Sequence, residues 1–222
     1  MNTLILTGYD RNMAELAEIC LPSKQAWADQ HGVKLRVLRD DDFPTEHGHP
    51  SFQKLRHIRH ALFFQGFECV FWMDADSVVT NSGFKIEYIH CARNMRHLIV
   101  SHDYPTEDSR PWFNRWSAGH MIWFRSDRSL SLLDEAMNQS QFAWSGLWDQ
   151  DALQACIQSE EDPRCPLILG TRFINSVVPG LTGNPDRDWQ LGDFLVHFTG
   201  IPHDQRVEVA RKFIAENQPE LI

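Results

Sequence analysis

"FECVFWMDADSVVTN", residues 67–81, decides how the chain folds. Five residues in a row, Cys69 to Met73, are apolar or aromatic, the composition of a strand buried on both faces. Two carboxylates one residue apart, Asp74 and Asp76, follow at once. Strands of this kind belong to open α/β sheets, in which ligands bind outside the carboxyl ends of the strands. Asp74 and Asp76 stand at such an end. Like charges held close repel one another and favour protonation unless a cation lies beside them. A hard divalent ion, Mn²⁺ or Mg²⁺, resolves that by taking carboxylate oxygens. A strand-end cap followed by a turn aspartate is the plainer reading, and the buried aromatic strand ahead of the pair favours a site.

Working outward, "TLILTG" (3–8) predicts a first strand, and Met13, Leu16, Ala17 and Cys20 fall at helical spacing after it. Pro22 is expected to interrupt that helix, with a second piece over 23–32 closed by Gly32. Residues 33–38 read as strand two. Phe52, Leu55, Ile58, Leu62 and Phe63 mark one face of a helix ending near Gly66, ahead of the 68–73 strand. A short helix at 85–92, strands at 97–102 and 117–124, and helices at 127–138 and 148–159 come next. "PLILG" and "FLVHF" read as late strands, and 204–217 as a terminal amphipathic helix. Strands alternating with helices give an α/β fold: a mostly parallel mixed sheet with helices on both faces, 117–124 being the antiparallel strand. No repeat or linker divides the chain, which reads as a single domain over 1–222.

Composition excludes other classes. The apolar content is 42% and the charged content 23% of 222 residues, ordinary for a globular protein. The net charge is -9 and the 21 basic residues form no run, which argues against nucleic acid as a partner. An anionic substrate would need a local positive device, such as a metal ion. Five scattered cysteines form neither a disulfide framework nor a zinc pattern, and residues 1–13 carry no signal-peptide pattern. No stretch approaches the ~20 apolar residues of a membrane span. A cytoplasmic location is expected, and the oligomeric state cannot be read.

Four segments in order carry a resemblance. "SFQKLRHIRHALFFQGFECVFWMDADSVVTN", "PSKQAWADQHGVKL", "RWSAGHMIWFRSDRSLSLLDEA" with "GLWDQDAL", and "GDFLVHFTG" together resemble glycosyltransferase family 34, the galactosyl/mannosyl/xylosyltransferases, over roughly residues 22–200. The resemblance implies a GT-A (Rossmann-like) fold. It implies a nucleotide-sugar donor, with UDP the expected nucleotide, a saccharide acceptor, a divalent metal and retention of configuration. The nucleotide would occupy about 1–80 and the donor sugar and acceptor about 81–200, with the C-terminal helix at 203–217. Asp74, Asp76 and His197 match the metal ligands, with Asp74 and Ala75 in the donor-binding motif. Asp149 and Gln150 match the acidic and amide positions beside the donor sugar, Lys54 the helix lysine, and Ala118, Gly119 and Gly200 lie within matching donor-side motifs. In place of the family's Lys-containing tail stands "IPHDQR", in which only His203 and Arg206 could face the diphosphate.

His197 lies in an alternating apolar strand, where a histidine is ordinarily satisfied core; the motif makes it a ligand, and imidazole favours Mn²⁺ with Mg²⁺ the alternative. His57 and His60, at i and i+3 without a carboxylate at ligand spacing, read as helix surface, and His47 and His49 as solvated loop. Acidic residues at 149 and 151 also suit a helix N-terminus. Glutamine cannot serve as a strong base. Gln150 beneath an anomeric carbon would act electrostatically in a front-face reaction, the competing scheme having Asp149 or Asp151 as covalent nucleophile. Thr7, Tyr9 and Asp10, ending the first strand, either contact the base and ribose or form a turn and helix cap. Trp112 and Trp116 either stack on an acceptor sugar or pin their loop. The rivals are a haloacid-dehalogenase-type phosphatase, which usually carries its D-x-D strand near the chain start, and a non-catalytic sugar-binding module.

Overall fold

The computed structural model describes residues 1–43, 49–92, 95–103, 116–157 and 165–218. His47 and Trp112 lie outside the described residues. A six-stranded sheet runs in the order β2-β1-β3-β6-β5-β7, built from β1 (Thr3–Gly8), β2 (Lys34–Leu38), β3 (Cys69–Met73), β5 (Leu98–His102), β6 (Trp116–Phe124) and β7 (Leu167–Leu169). All run in one direction except β6, which pairs antiparallel with β3 and β5. The 117–124 strand is therefore the antiparallel one, as its sequence led us to expect.

The unbroken apolar run of β3 is explained by the two faces it covers. Val70 and Trp72 join a cluster with Leu55 and Ile58 of α2 (Pro50–Phe63), Leu132 and Leu133 of α4 (Asp127–Met137), and Leu153 of α5 (Asp149–Ile157). Cys69, Phe71 and Met73 point the other way, against Trp27 of α1 (Ala14–Gln30) and against Ile86 and Ile89 of α3 (Ile86–His90). Side chains alternate across a strand, so a strand covered on both sides has no position left for a polar residue. Polarity resumes only where the strand leaves the layers, at Asp74.

Beyond that end lies a second, three-stranded sheet in the order β4-β9-β8, from β4 (Ser77–Val79), β8 (Ser176–Val177) and β9 (Leu195–His197). The terminal helix α7 (His203–Asn217) packs behind it through Phe213 and Ile214, on the side where Leu16 and Cys20 of α1 also bury. The 195–197 strand therefore belongs to this small sheet and not to the main one. Neither β4, β8 nor α6 (Thr171–Ile174) is evident in the sequence, for at two to four residues they are too short to show a period.

One expectation is corrected. Pro22 does not divide two helices: α1 runs unbroken from Ala14 to Gln30. Its buried face continues through the proline, with Leu16, Ala17 and Cys20 before it and Ser23, Lys24, Trp27 and Ala28 after it. Pro22 and Glu18, the residue four earlier whose carbonyl loses its partner, are both exposed, so water can satisfy that carbonyl. Packing of the far face outweighs the proline. Because Pro22 touches no core, Pro22→Ala should restore the helix bond and stabilise the protein by about 1–2 kcal/mol, after allowing for the looser unfolded chain. The melting temperature should rise by roughly 2–8 °C. A fall on thermal unfolding would mean that the rigidity of the proline outweighs its missing donor.

Candidate functional site

The backbone between β3 and β4 turns at Asp74, Ala75 and Asp76, and several groups hold the turn. The Asp74 amide donates to the Gly119 carbonyl on β6 (2.8 Å), and the Phe198 amide donates to the Asp76 carbonyl (2.9 Å). Ser77 Oγ donates to the Asp74 carbonyl (2.9 Å). From below, the fully buried Lys24 ammonium of α1 donates to the carbonyls of Ala75 and Ser77. Burial lowers the Lys24 pKa, with Cys20 and the two aspartates pulling the other way.

The antiparallel pairing of β4 with β9 sets Ser77 opposite His197, which brings the histidine to the aspartate turn. His197 Nε2 lies 3.1 Å from Asp76 Oδ1 and 3.9 Å from Asp74 Oδ2. Ligand atoms of Asp74, Asp76 and His197 all fall within 4.8 Å of one another, a set of two carboxylates and one imidazole suited to a divalent cation. Arg206 Nη1 of α7 donates to Asp76 Oδ2 (2.8 Å), while Trp72 Nε1 donates to Asp74 Oδ1 (2.6 Å). Burial pushes the Asp76 carboxyl up, but His197 and Arg206 more than offset it and hold it well below the usual carboxylate range. Glycine is required at 119, since a Cβ there would lie 2.6 Å from His197 Cε1 and 3.1 Å from Asp74 Oδ2.

A second cluster stands behind the first. Lys54, buried on α2, pairs with Asp149 Oδ2 at 2.8 Å, approaches Asp74 Oδ1 at 3.7 Å and donates to the Ala118 carbonyl at 2.8 Å. Burial works against its charge, yet Asp149 and Asp74 together raise its pKa. For Asp149 burial wins: it pushes the carboxyl up to about 7 against the pull of Lys54. Gln150 is held at both ends, its Oε1 accepting from the Ala118 amide (2.9 Å) and its Nε2 donating to Asp103 Oδ2 (3.2 Å). Just before them Trp148 adopts φ 44°, a left-handed conformation strained for a bulky residue. Its ring stacks on His49 at 3.6 Å and 7°.

A cleft of about 490 Å³ opens over the turn, lined among others by Tyr9, Asp10, Lys54, Asp74, Ala75, Asp76, Trp148, His197, His203 and Arg206. Among the other residues singled out in the sequence, Thr7, Ala118, Gly119, Asp149, Gln150 and Gly200 are not in its lining. Thr7 is buried within β1, and Gly200, at φ 74°, turns the chain towards α7. Asp10 caps the turn after β1, accepting from the amides of Asn12 and Met13, while also facing the cleft. Trp116 is buried in the core, so it packs the sheet and offers no face to a sugar. His49 is no solvated loop residue either, being fixed by its stack on Trp148. His57 and His60 are half-buried and exposed helix surface, as expected. Reading the sequence missed Lys24, Trp148 and Asn175, whose Oδ1 lies 2.9 Å from His197 Nδ1. Only Lys24 left a sign: a charge on the stripe that also carries Cys20 and Trp27.

Comparison with known proteins fits this arrangement. Solved structures of similar fold include a glycosyltransferase involved in the glycosylation of the major capsid of PBCV-1 (TM-score 0.72, 16% identity, 96% of this chain and 100% of that one). They also include the galactosyltransferase LgtC in complex with donor and acceptor sugar analogues (0.57, 13%, 94% and 95%) and an active-site glutamine-to-glutamate mutant of LgtC (0.58, 12%, 94% and 95%). No curated protein sequence matches the chain. Among the described residues no helix is long and apolar enough to cross a membrane. Residues 2–122 of the 222 match the sequence model of one family, and the phosphatase reading falls with that match: the chain has the GT-A glycosyltransferase fold and belongs to the galactosyl transferase GMA12/MNN10 family.

Proposed function

We propose that the protein is a metal-dependent retaining glycosyltransferase. It would move a hexose or pentose from a nucleotide sugar, UDP-linked in our reading, to a saccharide acceptor. The observation that carries this is the convergence of Asp74, Asp76 and His197 in the floor of a cleft, with Asp149 and Gln150 fixed behind it. Asp74, Asp76 and His197 would hold the cation, Mn²⁺ with Mg²⁺ the alternative. When bound, it neutralises charge on the departing diphosphate.

The remaining roles fall to the chain's own groups. Tyr9 and Asp10, in the cleft wall at the end of β1, face the nucleoside. Arg206 and His203 at the start of α7 supply the cationic side of the leaving group where the family's lysine tail is missing. Asp149, which stands behind the lining beside Lys54, would accept from the hydroxyls of a donor sugar seated deep enough to reach it. The Gln150 amide, pinned at both ends, is a preorganised dipole, and a carbonyl near the anomeric carbon stabilises developing positive charge there. An active-site glutamine in LgtC, of similar fold, supports that role. In a front-face reaction the bond from the anomeric carbon to the phosphate oxygen breaks and the acceptor oxygen bonds on the same face. The acceptor's proton leaves on the departing diphosphate.

Three outcomes are expected. Transfer from a nucleotide-sugar panel should cease in EDTA and return better with Mn²⁺ than with Ca²⁺, and Asp76→Asn should lose at least ~100-fold in activity; full turnover in chelator would end the metal assignment. Gln150→Ala should lower kcat by roughly 10²- to 10³-fold with donor affinity little changed, because its dipole acts mainly in the transition state. Near wild-type turnover there, together with an inactive Asp149→Asn, would favour Asp149 as nucleophile. Since the Asp149 pKa is raised to about 7, the carboxylate that accepts from the sugar is present above that pH and lost below it. Donor affinity measured by calorimetry should therefore weaken as pH falls, over a range below about 7 once Mn²⁺ is saturating, and Asp149→Asn should bind more weakly at high pH without that dependence.

A further inference from the structure

Asn175, at the junction of α6 and β8, is fully buried and is not itself part of the cleft lining, which it meets only from behind, through His197. Its amide Nδ2 donates to the His102 carbonyl (3.4 Å), which turns Oδ1 towards β9 and β6. There Oδ1 lies 2.9 Å from His197 Nδ1 and 3.4 Å from His120 Nδ1. An amide oxygen only accepts, so the His197 proton sits on Nδ1. That leaves Nε2 facing Asp76 Oδ1 at 3.1 Å and Asp74 Oδ2 at 3.9 Å. Nitrogen and oxygen lone pairs at such distances repel unless a proton or a cation lies between them.

We propose that Asn175 is the positioning residue of the cation site, fixing the Nδ1–H tautomer and the ring plane of His197 so that the Nε2 lone pair is aimed where the two aspartates converge. The inference rests on the metal reading above and names the residue that arms the third ligand. The ring has little other freedom. His120, fully buried, packs edge-on against it at 4.7 Å and 88°, and the Cα of Gly119 closes the space beside Cε1. Neither contact distinguishes one tautomer from the other; the Asn175 oxygen does. Second hydrogen bonds of this kind orient histidine ligands and raise their basicity, and their loss typically weakens metal binding by about 10–100-fold.

The test is Mn²⁺ binding to the protein without nucleotide sugar, followed by the electron paramagnetic resonance of free Mn²⁺. Asn175→Leu removes the acceptor at similar volume and should bind Mn²⁺ about 10- to 100-fold more weakly. Asn175→Asp keeps an oxygen towards Nδ1 and should stay within about threefold of the unmodified protein. Melting temperatures in EDTA identify loss of fold. A measurement without any variant backs these: nitrogen-15 NMR of the His197 ring in the unmodified protein, taken where the spectrum shows a single ring proton, should place that proton on Nδ1. A proton on Nε2 would overturn the proposal, as would unchanged Mn²⁺ binding in a folded Asn175→Leu or equal weakening in Asn175→Asp. Failure of the unmodified protein to bind Mn²⁺ at all would instead overturn the metal reading, and this inference with it.

Discussion

Asp74 and Asp76 leave a buried strand two residues apart, and their mutual repulsion has to be met by fixed positive groups. With ligand atoms within 4.8 Å of each other, two unit charges at an effective dielectric near 20 repel by roughly 3–4 kcal/mol. Three elements answer that repulsion with positive charge, α1 with Lys24, α2 with Lys54 and α7 with Arg206, while β9 sets His197 beside both aspartates. In a chain of net charge -9 this is a local concentration of basic groups, and each arrives from a distant part of the sequence. The fold around the turn can be understood as the means of bringing them there.

That demand explains the small second sheet. A strand-end carboxylate pair at the edge of the main sheet would face solvent on one side. The β4-β9-β8 sheet continues the chain directly from the turn and lays His197 against Asp76. Behind it α7 begins just after β9, which returns Arg206 to the same carboxylate. The antiparallel β6 serves the opposite side, because its register sets His120 beside Met73 and so brings Gly119 against Asp74. Here a missing side chain matters as much as a present one: any Cβ at 119 would occupy the space of the His197 ring.

How much of this could be read in the sequence depended on whether the cause was local. The run Cys69 to Met73 announced a doubly covered strand, and its abrupt end announced Asp74 and Asp76. The alternation of strands and helices and the antiparallel 117–124 strand followed from composition and period. Pro22 misled because a local rule was overridden by the packing of Trp27 and its neighbours on the opposite helix face. The isolated imidazole of His49 looked solvated because its partner, Trp148, lies 99 positions away in a conformation that no local rule favours for a tryptophan. Asn175 gave no signal at all. An asparagine before a two-residue strand is ordinary until the sheet pairing brings His197 beside it.

The two clusters are not independent, and Lys54 is the reason. One ammonium is shared between Asp149 at 2.8 Å and Asp74 at 3.7 Å, and it also donates to the Ala118 carbonyl, whose own amide holds Gln150. A change of charge at Asp74 therefore alters the field at Asp149 through a single buried group. Burial raises the Asp149 pKa and Lys54 opposes it, so Asp149 sits where a modest change in that balance alters its protonation at neutral pH. Were a cation to take over the neutralisation of Asp74, more of the Lys54 charge would remain for Asp149, which would favour its carboxylate. Occupation of the aspartate corner would then favour the carboxylate form of Asp149 behind it, with no movement of the backbone required.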